Sequence, residues 1–146
     1  MNVSLSQVTI NAARSTVWAA VTDSVLVKRW QYGSDLVTEW RVGGSIRFSS
    51  EYEGRTLEQW GTVLEFEAPH RLQYSLFAPR PGLDDVAQNY FTMTYELDDA
   101  DIATVLTITQ EDPREGDVAE PNAHEENPVM VELKSVVEAL EADATP

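Results

Sequence analysis

Residues 90–110, YFTMTYELDDADIATVLTITQ, decide the fold class of this chain. On both sides of a polar break at residues 98–101, apolar side chains alternate with polar ones. The apolar positions are Phe91, Met93, Tyr95, Leu97, Leu106 and Ile108. Because successive side chains of a strand point to opposite faces, this period of two places the apolar residues on a shared face. The stretch therefore predicts two antiparallel strands with an apolar face that another element must cover.

Strand and turn patterns continue from this pair back along the chain. Turn residues interrupt them at Gly43-Gly44, 53–54, 69–70 and 79–82, in addition to the break at 98–101. These breaks separate six strands, near residues 36–40, 45–52, 57–67, 72–77, 90–97 and 104–110. Connections this short favour antiparallel hairpins, because a parallel crossover needs a dozen or more residues. A meander is the simplest topology.

The cover for this sheet is predicted at the end of the chain. A helical stripe of apolar side chains is formed by Val129, Leu133, Val136, Val137 and Leu140. Asn127 can cap this helix, and Pro128 suits its first position, where no backbone N–H is needed. We therefore expect the sheet and the C-terminal helix to share one core.

The N-terminal segment adds one strand and two short helices. Residues 3–10 are rich in β-branched side chains and predict a strand, whereas residues 13–22 show helical spacing. Asp23 can cap a second short helix over 26–30 through its carboxylate. The chain is thus predicted to be a single α+β domain, residues 1–146, with the order β-α-α-β6-α and a curved antiparallel sheet wrapped around a long C-terminal helix.

The charge and the composition exclude several classes of function. The formal net charge of −15 disfavours contact with phosphate backbones, so no nucleic acid is expected as a partner. The chain contains no cysteine, and its first ten residues lack both a basic segment and an unbroken apolar run. We expect an acidic, soluble, cytoplasmic protein without membrane insertion, with an extended, mobile acidic loop over residues 111–127.

No residue pattern indicates a metal site, a cofactor or a catalytic group. The two histidines, His70 and His124, are expected on the surface and have no partner at ligand spacing. Gly43-Gly44 precedes a strand rather than a helix, which favours a tight turn over a phosphate loop. Paired carboxylates such as Glu65 and Glu67 lie opposite apolar strand positions and are expected to face water.

Four segments, in order along the chain, resemble motifs of one known family. Residues 17–23, VWAAVTD, look like its VWxALTD helix, and Arg29-Trp30 look like the end of its second helix. Residues 41–48, RVGGSIRF, and 61–72, GTVLEFEAPHRL, match its turn-and-strand motifs. The chain resembles the START-like, or SRPBCC, superfamily, in the group named after homologues of the activator of the heat-shock-protein-90 ATPase.

This resemblance implies the helix-grip fold over nearly the whole chain. The superfamily includes lipid carriers, hormone and polyketide binders, a few cyclases and co-chaperone domains, so fold alone does not assign an activity. The resemblance also implies that Trp30, at the end of the second helix, stands near the mouth of a cavity. It leaves open whether any catalysis occurs.

The inner face of the sheet supplies the candidate binding residues. Strand alternation directs a mixed set of side chains toward the last helix and Met130, namely Phe48, Trp60, Tyr74, Phe91, Met93 and Gln110. These side chains either fill a core or line a cavity. Tyr74 and Gln110 favour the cavity, because polar groups on an apolar face need water, each other or a ligand.

Three functions are compatible with these residues. The first is non-enzymatic binding of a small apolar or aromatic, lipid-like or polyketide-like molecule between sheet and helix, by a monomer or weak homodimer. The second is protein interaction linked to a chaperone and the stress response, as the family name implies. The third is a cyclase-like or hydrolase-like enzyme that uses Tyr74 and Gln110 as a proton relay.

Overall fold

The computed structural model describes residues 2–31, 33–113 and 128–144. Within them, helices and strands follow the order β1 (Asn2–Ile10), α1 (Arg14–Thr22), α2 (Ser24–Trp30), β2 (Asp35–Thr38), β3 (Ser45–Tyr52), β4 (Arg55–Glu67), β5 (Arg71–Leu76), β6 (Phe91–Ala100), β7 (Ala103–Asp112) and α3 (Pro128–Ala144). A short 3₁₀ turn, Ala87–Asn89, precedes β6 and had no counterpart in the sequence analysis. The α+β helix-grip prediction is confirmed.

The seven strands of the described residues form one antiparallel sheet in the order β1-β7-β6-β5-β4-β3-β2. Strands β2 to β7 follow the predicted meander. The first strand closes the other edge by pairing with β7, so that Ser4 lies opposite Gln110 and Val8 opposite Leu106. This pairing joins the start of the chain to the last strand and brings polar β1 side chains to the inner face.

The turn between β3 and β4 uses two residues with positive φ. Glu53 and Gly54, at φ 51° and 76°, connect the paired residues Tyr52 and Arg55, which is the geometry of a type I′ turn. The predicted break at 98–101 was too long. Strand β6 continues to Ala100, because its backbone is paired with β7 up to that residue. Exposed acidic side chains do not end a strand whose backbone still has a partner.

Strand β4 bends between its two neighbours. Its first part pairs with β3 as far as Thr62, whereas its second part pairs with β5 from Val63, with a register shift between Val63 and Glu65. At the junction, Gly61 lies so close to β5 that a Cβ atom there would be 1.8 Å from the carbonyl oxygen of Ser75. The absence of a side chain at Gly61 therefore permits the bend that curves the sheet.

Helix α3 carries the predicted apolar stripe into the core. Met130, Leu133, Val136 and Val137 are buried, and Pro128 is the first helical residue. These side chains join one continuous cluster with the inner face of the sheet and with α1 and α2. The predicted Asn127 cap lies outside the described residues. Within the described part of the chain, no helix is long and apolar enough to span a membrane.

The far half of α3 is attached to the β1–α1 junction by carboxylates. Glu138 accepts a hydrogen bond from the backbone amide of Asn11 at 2.9 Å. Glu141 accepts from the amide of Ala13 at 3.0 Å and from the hydroxyl of Thr16 at 2.7 Å. Ala13 has no side chain that caps α1, and Glu141 contacts this end of α1 through the amide of Ala13 and the side chain of Thr16. These bonds fix how α3 lies along the sheet.

Lys134 strengthens the same attachment. Its ammonium group donates to the carbonyl of Thr9 at 2.9 Å and also binds the Glu138 carboxylate. Burial alone would raise the pKa of Glu138, but the hydrogen bonds from Lys134 and Asn11 outweigh burial and lower this pKa below its ordinary value. The carboxylate form of Glu138 is thus favoured by the fold.

Two other local predictions can be compared with the structure. Asp23 caps α2, accepting from the Val25 amide at 2.9 Å, as predicted. The acidic loop was predicted to begin at residue 111, but Glu111 and Asp112 belong to β7, where they pair with β1 and extend the ladder. The rest of that loop, 114–127, and His124 lie outside the described residues. His70 is exposed in a turn, as predicted.

Candidate functional site

A cavity of about 380 Å³ lies between the inner face of the sheet and the helices α2 and α3. Side chains from both helices and from six strands surround it: Ser4, Ser6, Trp30, Gln31, Phe48, Gln59, Tyr74, Leu76, Phe91, Met93, Tyr95, Ile108, Gln110, Val129 and Met130. The cavity is thus located where the curved sheet and the start of α3 diverge. This volume is within the range of small-molecule sites in proteins.

Aromatic side chains make up five of the fifteen described residues that line this cavity. The ring of Tyr74 lies 5.7 Å from that of Phe48 and 5.9 Å from that of Tyr95, in tilted contacts. Trp30 is 1% exposed, and its indole N–H donates to the carbonyl of Ala20 at 2.7 Å. The polar edge of Trp30 is therefore satisfied within the protein. These rings offer flat apolar surfaces to a bound molecule.

Two tyrosines of the cavity lining are hydrogen-bonded to each other through their hydroxyls. The Tyr74 and Tyr95 oxygens are 3.1 Å apart, and both residues are buried. Burial raises the pKa of both phenols above the ordinary value of 10.0. Each hydroxyl therefore keeps its proton at neutral pH, which opposes a role for Tyr74 as a catalytic base in the proton-relay hypothesis.

The other polar groups of the lining are amides and hydroxyls. Ser4, Ser6 and Gln110 come from the β1–β7 pair, whereas Gln31 follows α2 and Gln59 lies on β4. The lining contains no Asp, Glu, Lys, Arg or His among the described residues. A charged ligand group would lose its hydration here without finding a counter-charge. The described lining thus offers neutral polar groups and apolar surface.

Seven of the eight predicted site residues line this cavity, and Trp60 does not. On β4 the neighbouring Gln59 lies opposite Phe48 and faces inward, so Trp60 faces outward. There its ring lies 5.5 Å from that of Phe77, and its N–H donates to Asp85 at 3.2 Å. The predicted inward orientation of Trp60 was wrong because the register shift between Val63 and Glu65 reverses the alternation of side chains along β4.

Some lining residues were not predicted from the sequence. Gln59 shares its parity with buried Val63, and this alternation could have identified it. Tyr95 and Ile108 lie on the apolar face predicted from the sequence, but they were not among the predicted site residues. Ser4 and Ser6 carried no signal, because their position depends on the pairing of β1 with β7.

The family of the chain follows from its sequence match. Residues 11–142 match the family model described as "Activator of Hsp90 ATPase homolog 1-like protein". The chain belongs to this family. The resemblance to the START-like superfamily is thereby confirmed, and the family's fold is that of a ligand-binding domain. None of the curated proteins matches the chain.

Several solved structures of other proteins share the fold of this chain. ChR145 from Cytophaga hutchinsonii is 25% identical, with a TM-score of 0.68 and coverage of 98% of this chain and 93% of that one. CV1439 from Chromobacterium violaceum is 20% identical, with a TM-score of 0.72 and 96% coverage of both chains. A Rhodobacter sphaeroides protein is 23% identical, with a TM-score of 0.68, covering 98% of this chain and 95% of that one.

Proposed function

We propose that this protein binds a small, neutral, largely aromatic or apolar molecule in the cavity between sheet and α3. The observation that carries the proposal is a cavity of about 380 Å³ whose described lining is aromatic, aliphatic or neutral polar. Such a lining desolvates an apolar body at little cost, and it provides amides and hydroxyls to orient a few polar groups. Membership of a family with a ligand-binding fold supports the proposal.

The volume restricts the size of the ligand. About 380 Å³ is near the lower end of the range for drug-sized ligands, roughly 300–1,000 Å³. A compact molecule of a few rings or a short acyl chain matches this space better than a long-chain lipid does. Flat rings are favoured further, because Trp30, Phe48 and Phe91 contribute aromatic surface.

Native mass spectrometry of the purified protein tests the proposal first. It is followed by titration with three ligand classes, namely short-chain lipids, flavonoids and polyketide-like aromatics. Trp30 belongs to the cavity wall, so ligand binding is expected to change the tryptophan emission. We expect saturable one-to-one binding by at least one class. The absence of both a co-purified molecule and binding by any class would overturn the proposal.

Variants can then locate the binding site. Met93→Trp introduces a large ring into the cavity, whereas Ile102→Trp introduces the same ring at a position that is 88% exposed. We expect Met93→Trp to weaken binding at least about tenfold and Ile102→Trp to leave it unchanged, because only the first occupies ligand space. Circular dichroism controls for folding. Equal affinities in both variants would place the ligand elsewhere.

A second candidate function is suggested by the description of the family, which names the activator of the Hsp90 ATPase. A purified chaperone of the Hsp90 class, mixed with this protein, tests it through the rate of ATP hydrolysis and through co-migration in gel filtration. An unchanged rate together with separate elution would reject this candidate. The result would not affect the cavity proposal, since one experiment measures the action on a chaperone and the other measures the binding of a small molecule.

A further inference from the structure

The tyrosine pair in the cavity has two hydroxyl protons, but only one of them can take part in the hydrogen bond between the two residues. Tyr74 and Tyr95 are 3% and 4% exposed, and their oxygens form one hydrogen bond of 3.1 Å, in which either can be the donor. Each hydroxyl carries one proton. Whichever hydroxyl donates within the pair, the proton of the other needs an acceptor elsewhere.

The protein does not provide that acceptor within its described residues. Neither hydroxyl oxygen forms a second hydrogen bond to any side chain or backbone group in the described part of the chain. Burial raises the pKa of both phenols, so the surplus proton is not lost at neutral pH. A buried donor without an acceptor is costly, and more so than an unused lone pair on an oxygen.

The cavity determines which acceptor can reach this proton. Both tyrosines line it, so a bound molecule can approach the pair from the cavity side. A ligand that expels water from this space without replacing its hydrogen bonds loses affinity. A carbonyl oxygen accepts the proton without bringing a further donor that would itself need a partner.

We propose that the ligand is a compact aromatic ketone whose carbonyl oxygen accepts the surplus proton of the Tyr74–Tyr95 pair. The aromatic part is argued from the rings around the pair, since Phe48 lies 5.7 Å from Tyr74 and Phe91 lines the same cavity. This inference rests on the binding function proposed above and specifies its ligand class.

Fluorenone and fluorene form a matched pair of probes for the test. They have nearly the same size and shape, and they differ by a carbonyl oxygen in place of two hydrogens. We measure both dissociation constants for the wild type and for the double variant Tyr74→Phe/Tyr95→Phe. The preference for fluorenone over fluorene is expected to be about three- to tenfold larger in the wild type, which corresponds to one neutral hydrogen bond.

The double variant is a suitable control, because replacing both partners of a hydrogen bond by apolar groups of the same shape is nearly neutral for folding. Infrared spectroscopy of bound fluorenone provides a second readout. Its carbonyl stretch is expected at a lower frequency in the wild type than in the double variant. A structural role of the tyrosines alone would not shift this band.

The outcomes separate the two proposals. If both probes bind and the fluorenone preference is the same in wild type and double variant, the ketone inference is wrong while the binding function stands. An unshifted carbonyl band would overturn the inference in the same way. If neither probe binds and the broader ligand panel also fails, the binding function itself is rejected.

Discussion

Substitution of Gly61 by Ala tests how the sheet obtains its curvature. A Cβ atom at this position would lie 1.8 Å from the carbonyl oxygen of Ser75 and 3.1 Å from the Cα of Leu76. Both are backbone atoms, so no side-chain rotation can relieve the contact. Strands β4 and β5 would have to separate by about 1.5 Å to restore an ordinary van der Waals distance.

The neighbouring hydrogen bonds set the magnitude of the effect. Beside Gly61, the Trp60 amide donates to Phe77 at 3.2 Å, and the Phe77 amide donates back to Trp60 at 2.7 Å. Losing this pair would cost about 1–3 kcal/mol, and overpacking typically adds a similar amount. Alanine restricts the unfolded chain and recovers less than about 1 kcal/mol. We therefore expect Gly61→Ala to lower the free energy of unfolding by about 2–5 kcal/mol.

Urea unfolding, followed by tryptophan fluorescence and circular dichroism, measures this change. Gly82→Ala is the matched control, since Gly82 has a φ of 81° and no atom within 4 Å of the added Cβ. It tests backbone strain without a clash and should cost about 1–2 kcal/mol. If Gly61→Ala were no more destabilising than Gly82→Ala, the close approach of β4 to β5 would not be what limits this position.

Three other perturbations can be checked by urea unfolding. Tyr74→Phe leaves the buried Tyr95 hydroxyl without its protein partner and should lower the free energy of unfolding by about 1–3 kcal/mol. The double variant Tyr74→Phe/Tyr95→Phe should recover most of this loss, and equal losses in the single and double variants would contradict the reasoning. Trp30→Phe removes the hydrogen-bond donor to the Ala20 carbonyl and also removes apolar area from the core. We expect the free energy of unfolding to fall by about 2–4 kcal/mol, and a decrease below about 1 kcal/mol would contradict this expectation. The pKa of Glu138 is lower in the folded protein than its ordinary value of 4.5, so the ionised carboxylate stabilises the fold at any pH above 4.5. This contribution is lost as the pH falls through the folded-state pKa. Glu138→Gln should therefore cost about 0.5–1 kcal/mol at pH 7 and progressively less as the pH is lowered below 4.5, whereas a loss independent of pH would refute the linkage.

The fold could be predicted from sequence because its signals are local. The alternation at Phe91, Met93 and Tyr95 identifies a strand without reference to any other segment, and the stripe from Val129 to Leu140 identifies a helix in the same way. Errors occurred at the ends of elements. Strand β6 continues through acidic residues to Ala100 because β7 pairs with it, and pairing between strands is not a local property.

The candidate site could be predicted only where side chains alternate between the two faces of a strand without interruption. Parity placed Phe48, Tyr74 and Met93 on the inner face, and these residues line the cavity. Trp60 was assigned to the same face by strand alternation, but the register shift between Val63 and Glu65 interrupts this alternation on β4, and Gln59 faces inward instead. Ser4 could not be assigned, since its inward position depends on a partner strand more than a hundred residues away in the sequence.

The sequence alone therefore determined the kinds of elements, their order and the faces of most strands, because periods of two and 3.6 residues act within a segment. The tertiary structure alone decided that β1 joins β7, that β4 bends at Gly61 and that the Tyr74 and Tyr95 hydroxyls meet. It also decided that a space of about 380 Å³ is left between sheet and helix. A cavity is the volume that packed side chains fail to fill, and this depends on the register and curvature of all the surrounding elements together.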